Sequence, residues 1–479
     1  MIRALISPYL PSYPATLIYM LQNTEYKAGP YLQWYWRTQN FTTVMQRRGL
    51  DRTKPARLLL SALWCGITVE VLAGLVLIYL GGWQDLAGGI VLGLALIIAY
   101  PVVWAHLLVL PLVAGRELST RPQRQRLIQQ SEIIFRQHPG TKIAVAGSYG
   151  KTTMKELLTA VLSEGKKVTA TPANKNVAIS HVQFAKQLDG DEDILIIEYG
   201  EGAPGDVARF ASTTHPTHAV ITGLAPAHLD QYKTLQAAGE DIFSVAGFVP
   251  AKHLYVNGDS PDARPFLKNS YQLFSGSGSL GWKTSRVDIQ LTGTSFTLKK
   301  GRQEIALHSG LVGRHQVGFL AFAAALALEL GLTPGQVSDG LAKTRPVEHR
   351  MQPYRLGGAW IVDDTYNGNL EGIRAGTGLL KEIKAKRKIY VTPGLVDQGA
   401  ETEQIHREAG RLIAAARPDI VVLMRNSVTG FIREGLETGK FKGEIRTEDN
   451  PLEFYTNLAH FVASGDLVVM QNDWTDNYA

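Results

Sequence analysis

The chain has 479 residues, 45% hydrophobic and 19% charged, with a formal charge of +6. That length calls for two or three domains rather than one core, and the composition is that of an ordinary globular protein without repeats or low-complexity tracts. Nucleic acid is not the expected partner, because nine basic residues (Arg47, Arg48, Arg52, Lys54, Arg57, Arg116, Arg121, Arg124 and Arg126) flank a single apolar region, and the lone cysteine, Cys65, excludes an intramolecular disulfide framework and a cysteine-built metal site.

Residues 1–55 read as an N-terminal cytoplasmic segment. Three prolines before Thr16, without a compact apolar region or a small-residue cleavage site, argue against a cleaved signal peptide. Residues 56–116 read as a transmembrane hairpin. From Leu58 to Gln84 the only formal charge is Glu70, and from Leu86 to Ala114 there is none. Each run can cross roughly 30 Å of hydrocarbon as a helix. The connection Gly81-Gly82-Trp83-Gln84-Asp85 lacks Lys and Arg, whereas both outer flanks are arginine-rich, which predicts a multi-pass protein of the cell membrane with its catalytic domains in the cytoplasm. Glu70 needs a reason to lie inside a span. His106 is the obvious partner, but counting from the turn puts it roughly 15 Å away in depth, so Glu70 is left unassigned.

Residues 117–139 form a basic linker. From 140 to 345 short β-branched runs alternate with helical patterns, as in a parallel sheet covered on both faces, with IAVA, KKVTAT, DILIIE and HAVIT as strands. Alternation between residues 286 and 308 around a Lys-Lys-Gly turn predicts a β-rich flap before a helix starting near Val317. With a boundary and hinge at Pro346, residues 346–479 form a second α/β domain with WIVDD, KIYVTP, IVVLM and LVVMQ as strands. The fold class is thus α/β: a phosphate-loop central domain and a C-terminal Rossmann-like domain behind a two-helix hairpin.

IAVA runs into Gly147-Ser148-Tyr149-Gly150-Lys151-Thr152-Thr153 and then the helical MKELLTAVL. Glycines let backbone N–H groups and the helix N-terminus face phosphates, while Lys151 reaches the β and γ oxygens and Thr152 can bind Mg²⁺. Val145 stands where the general phosphate-loop pattern has its first glycine. Glu198, at the end of an apolar strand, is placed to meet a metal held by the nucleotide.

The loop AGSYGKTT resembles the shortened GxxGKTT form of the Mur ligase family, and the resemblance continues for about 340 residues through TPANKN, IIEYGEGAPGD, ITGLAPAHLD, GRHQV and DDTYNGN. It implies ATP and Mg²⁺ as cofactors, Lys151, Glu198 and His228 as catalytic residues, and Thr152, Glu198 and His228 at the metal. Asn174 and Asn176 would face substrate, with turn chemistry as the alternative. Arg350 and Asp363 would join Gly147–Thr153 in binding nucleotide. DDTYNGN is similar to the DDSYNANP signature of the MurF-like branch, which adds D-alanyl-D-alanine, and implies substrate contacts by Tyr366, Asn367 and Asn369; a tight loop with Asx turns is the other reading. Thr392-Pro393-Gly394 and His406 continue the resemblance without an assigned chemistry.

Three departures bear on mechanism and substrate. The family's carbamoylated lysine, whose carbamate helps hold a second metal, has no counterpart: Gly239 stands there, with Glu240 and Asp241 as candidate replacements. On the adenine side Gln316 and Phe319 replace asparagines. The hairpin and N-terminal segment occupy the place of a domain that grips a uridine nucleotide, so the muramyl-peptide acceptor could be UDP-linked or lipid-linked. The expected reaction is ATP-dependent amide formation through an acyl phosphate, with D-alanyl-D-alanine as amine and other envelope enzymes as conceivable partners. The alternatives are a Mur-family ligase for a different acid and amine, such as another envelope polymer or a polyglutamate, and an ATP-binding membrane scaffold. Two spans argue against a transport ATPase.

Overall fold

A computed structural model describes residues 5–24, 26–42, 44, 50–83, 87–115, 121–172, 175–226, 229–366, 368–396 and 398–472. The chain falls into two compact units, Met1–Arg126 and Leu127–Ala479.

In the first unit the helices Lys54–Trp83 and Ala87–Leu107 pack along each other, and the apolar run of the second continues to Val113. Both are long and apolar enough to cross a membrane. Their apolar side chains point outward: Leu72, Val76, Leu92 and Ile98 are all more than half exposed. The first helix runs through Trp83, so Gly81-Gly82-Trp83 belongs to the helix and not to the expected turn. Gly81 is buried because Gly89 crosses against it, and one turn further along Gly93 crosses Gly74. A Cβ on Gly93 would lie 2.4 Å from the Gly74 carbonyl oxygen, so these glycines are what lets the backbones touch.

Glu70 is hydrogen-bonded by the Trp104 indole, whose Nε1 donates to Oε2 at 2.5 Å. The same ring lies over Gly66, one helical turn before Glu70, where a Cβ would meet it at 1.9 Å. His106 instead bonds the Val102 carbonyl of its own helix. The N-terminal helices Tyr13–Asn23 and Ala28–Arg37 share a core with the hairpin. Tyr9, Tyr13 and Tyr31 donate to the carbonyls of Ile98, Pro101 and Ala105, following one face of the second long helix.

In the second unit one sheet runs β10-β9-β8-β7-β6-β5-β4-β1-β3-β2. Its strands are β1 (Thr141–Ala146), β2 (Val168–Ala170), β3 (Ile194–Glu198), β4 (His218–Ile221), β5 (Leu254–Asn257), β6 (Gln272–Ser275), β7 (Gly278–Ser279), β8 (Trp282–Gln290), β9 (Gly293–Lys300) and β10 (Gln303–Ser309). Strands β1 to β6 pair in parallel; β7 to β10 add antiparallel, so the expected flap is an extension of the same sheet. Alternation along the strands feeds two cores. Ile143, Val145, Ile194 and Ile196 pack with the helices Lys151–Leu162 and Val317–Glu329 on one face, and Ala144, Ala146, Leu195 and Ile197 pack on the other.

The second sheet runs β11-β12-β16-β13-β14-β15, from β11 (Gln352–Leu356), β12 (Ala359–Asp364), β13 (Arg387–Thr392), β14 (Ile420–Met424), β15 (Glu444–Glu448) and β16 (Asp466–Gln471). Among the described residues β11 pairs antiparallel with β12 and the other pairings are parallel.

Candidate functional site

Strand β1 is flanked by β3 and β4, whose connections leave in opposite directions, so its carboxyl end opens at a switch point of the sheet. The phosphate loop starts there. Gly147 and Gly150 have φ of 139° and 73°, a region costly for residues with a Cβ, and a Cβ on Gly150 would also lie 2.5 Å from the Phe319 ring. The loop is tied to the β4 end: Ser148 N–H donates to the Gly223 carbonyl at 2.9 Å, and the Thr222 hydroxyl contacts the Ala146 and Tyr149 carbonyls. Burial pushes the Tyr149 phenol up to about 12. The Ser148 hydroxyl is buried without a hydrogen-bond partner among the described residues. Thr153 opens onto two cavities, of about 480 and 200 Å³.

Lys151 and Thr152 open the helix Lys151–Leu162. The Lys151 ammonium folds back onto the Gly147 carbonyl and pairs with Glu201 Oε1 at 3.2 Å. Thr152 Oγ1 and Asn176 Nδ2 both donate to Glu198 Oε1, at 3.2 and 3.1 Å. The other Glu198 oxygen is buried with no hydrogen-bond partner among the described residues, and Lys155 Nζ stands 3.7 Å away. Lys155 is fully buried and also donates to the Thr171 carbonyl at 2.9 Å. His181 Nε2 donates to the Glu198 carbonyl at 2.9 Å, and burial pulls this imidazole down to about 4, so it is neutral at physiological pH.

The smaller cavity is lined from both halves of this unit, by Tyr149, Gln316, Phe319, Arg350, Tyr366 and Asn369. The Arg350 guanidinium stacks on the Tyr366 ring, 4.4 Å from its centroid. Left-handed backbone at His349 and Met351 brackets Arg350, a strained arrangement costing about 1–3 kcal/mol per residue. Asp363 does not line this cavity. Its carboxylate takes His349 Nδ1 at 2.8 Å and the Thr365 N–H and hydroxyl, while neighbouring Asp364 faces the space. Burial pushes Asp364 up to about 6, against bonds from Gln471 and the Met351 N–H. Asn369 caps the helix Leu370–Glu382 by accepting from Gly372 N–H at 2.9 Å, so its turn chemistry and its place at the cavity coexist.

Asn174, His228 and Asn367 lie outside the described residues. Of the candidate replacements for the missing lysine, Glu240 is exposed and bonded to Gln236. Asp241 is buried with one oxygen on the Gly205 N–H and the other on the Tyr232 hydroxyl, at 2.8 and 2.7 Å. His406 accepts from Leu395 N–H and donates to the Thr402 carbonyl, which is a loop-holding role. Sequence reading missed Lys155 and Glu201. The helical spacing of Lys155, four residues after Lys151, puts it on the same helix face, and Glu201 follows Glu198 by three residues.

Residues 145–327 match the Mur ligase middle domain. The UDP-N-acetylmuramoyl-tripeptide–D-alanyl-D-alanine ligase of Escherichia coli is 27% identical over 328 residues, 64% of this chain and 72% of that protein. The same-named ligase of Mycobacterium leprae is 28% identical, over 69% of this chain and 70% of its own length. The structure of MurF ligase from Thermotoga maritima in complex with ADP matches with a TM-score of 0.63 at 23% identity, covering 73% of this chain and 80% of the other. These likenesses support reading the chain as a MurF-like Mur ligase. It is accordingly an ATP-dependent ligase, and the phosphate loop at the end of β1 lies within the matched Mur ligase region.

Proposed function

We propose that this Mur ligase adds D-alanyl-D-alanine to a muramyl-tripeptide carboxylate at the cytoplasmic face of the membrane that its hairpin spans. The observation that carries the reading is the meeting of Lys151, Thr152, Asn176 and Glu198 at the switch point, where Thr152 lines the larger cavity together with Arg350 and Tyr366.

Gly147–Thr153 cradle the phosphates, Arg350 and the Gln316–Phe319 side take the base and ribose, and Asp363 acts by holding His349 beside Arg350. Thr152 and Glu198 suit Mg²⁺: both present oxygen, and one Glu198 oxygen is buried without a hydrogen-bond partner among the described residues. When bound, the ion would supply neutralising charge, and the family resemblance implies His228 as a further residue to hold it. A substrate carboxylate oxygen attacks the γ-phosphorus and ADP leaves. The amine attacks the acyl-phosphate carbon, phosphate departs with the C–O bond, and the amine proton is lost to solvent. Lys151 leaves the Gly147 carbonyl to neutralise the transferring group. Asn174, Asn176, Tyr366, Asn367 and Asn369 hold the reactants, and closing at Pro346, between the proposed domains 140–345 and 346–479, excludes water.

The test is phosphate release by detergent-solubilised full-length protein with Mg-ATP and D-alanyl-D-alanine, comparing UDP-linked muramyl tripeptide, its lipid-linked form and no acceptor. Acceptor-dependent release with a dipeptide mass gain supports the reading and names the carrier. Folded, ATP-binding protein that extends neither acceptor turns attention to another acid and amine or to a scaffold.

A further inference from the structure

The phosphate loop has a second carboxylate that the reaction described above does not use. Glu201 lies on the loop after β3 with its side chain only 4% exposed. One oxygen pairs with Lys151, and the other is buried with no hydrogen-bond partner among the described residues. A buried carboxylate oxygen without a donor is costly unless something else occupies it. Its loop is braced: Ala203 N–H donates to Asp206, Gly205 N–H to Asp241, and the Tyr232 hydroxyl bridges Asp241 and the Ala203 carbonyl. Asp241 therefore anchors the segment that presents Glu201.

The other acids nearby are unsuited. Gly239 cannot carry a long side chain, since its Cβ would sit 2.1 Å from the Phe266 ring. Glu240 faces solvent, and both Asp241 oxygens are engaged. Among the described residues Glu198 and Glu201 are left as carboxylates beside the loop that each have one buried oxygen without a hydrogen-bond partner, that of Glu198 facing the Lys155 ammonium at 3.7 Å.

We propose that Glu201 is a divalent-cation ligand of this site, working from the Lys151 side of the loop as Glu198 works from the Thr152 side. Without nucleotide, Lys151 neutralises Glu201. When a triphosphate draws Lys151 away, the cation takes over that charge, so cation and nucleotide bind together. The inference rests on the ATP-site reading above.

The test titrates Mn²⁺ by electron paramagnetic resonance into full-length protein with a non-hydrolysable ATP analogue, and measures analogue affinity separately in EDTA. Glu201→Gln is expected to weaken Mn²⁺ binding about 10-fold while melting temperature holds. Glu201→Asp keeps the charge one methylene back and should fold and bind Mn²⁺ more weakly than wild type. Wild-type Mn²⁺ affinity in either folded variant overturns the assignment, including when Glu201→Gln tightens the analogue in EDTA, which would make Glu201 only a latch for Lys151. Failure of the wild-type protein to bind the analogue at all would instead sink the ATP-site reading.

Discussion

The hairpin and the end of β3 beside the phosphate loop each hold a glutamate, and they treat it differently. Glu70 has its partner built in: the Trp104 indole bonds it and the glycine before it makes room for the ring. Glu198 is only half satisfied, with Thr152 and Asn176 on one oxygen and, among the described residues, no hydrogen bond to the other, which faces the Lys155 ammonium at 3.7 Å. An acid whose partner is supplied by the fold serves the fold. An acid left with an open oxygen in an ordered site is available to a ligand, and the contrast separates structural from functional carboxylates without reference to position in the chain.

The largest effect should come from reversing the contrast at the loop. Glu198→Gln is expected to lower acceptor-dependent phosphate release by about 10²- to 10³-fold, whereas Glu70→Gln leaves turnover per folded molecule unchanged. Equal losses in the two variants would erase the distinction.

A second measurement concerns His181, which holds the Glu198 backbone. The unfolded chain protonates this imidazole near 6.5 and the folded chain only at about 4, so its contribution is complete above 6.5 and lost as pH falls toward 4. That loss amounts to about 3 kcal/mol. His181→Asn should therefore lose less stability than wild type between pH 6.5 and 4, measured by denaturant unfolding of each protein at both values. Parallel losses would mean that His181 is not the neutral buried group described.

The smallest effect is in the hairpin. Trp104→Phe keeps most of the packing over Gly66 but removes the donor to Glu70, and should cost about 1–3 kcal/mol in detergent. The double variant with Glu70→Leu should recover part of that loss. If Trp104→Phe alone is neutral, the bond contributes little and Glu70 needs another explanation.

Much of the fold was legible because hydrophobic period and turn chemistry are local. Val145 and Ile196 reveal a strand by their alternation, and Gly147 and Gly150 mark a loop that only glycine tolerates. The missed strands show the limit. Strand β15 reads Glu-Ile-Arg-Thr-Glu and is half-exposed at a sheet edge, where no apolar run is needed. Likewise β8 to β10 alternate as a free flap would, and only pairing makes them part of the large sheet.

The sequence by itself determined the phosphate loop, the strand that ends in Glu198, the two long apolar helices and the order of motifs marking a MurF-like ligase, since each is written in neighbouring residues. Tertiary structure alone decided which acids are occupied. Asp241 and Glu201 stand 40 positions apart, and nothing local distinguishes the one engaged by Tyr232 and Gly205 from the one left open beside Lys151. A carboxylate's availability is a sum over donors brought from distant segments, and only the folded chain performs that sum.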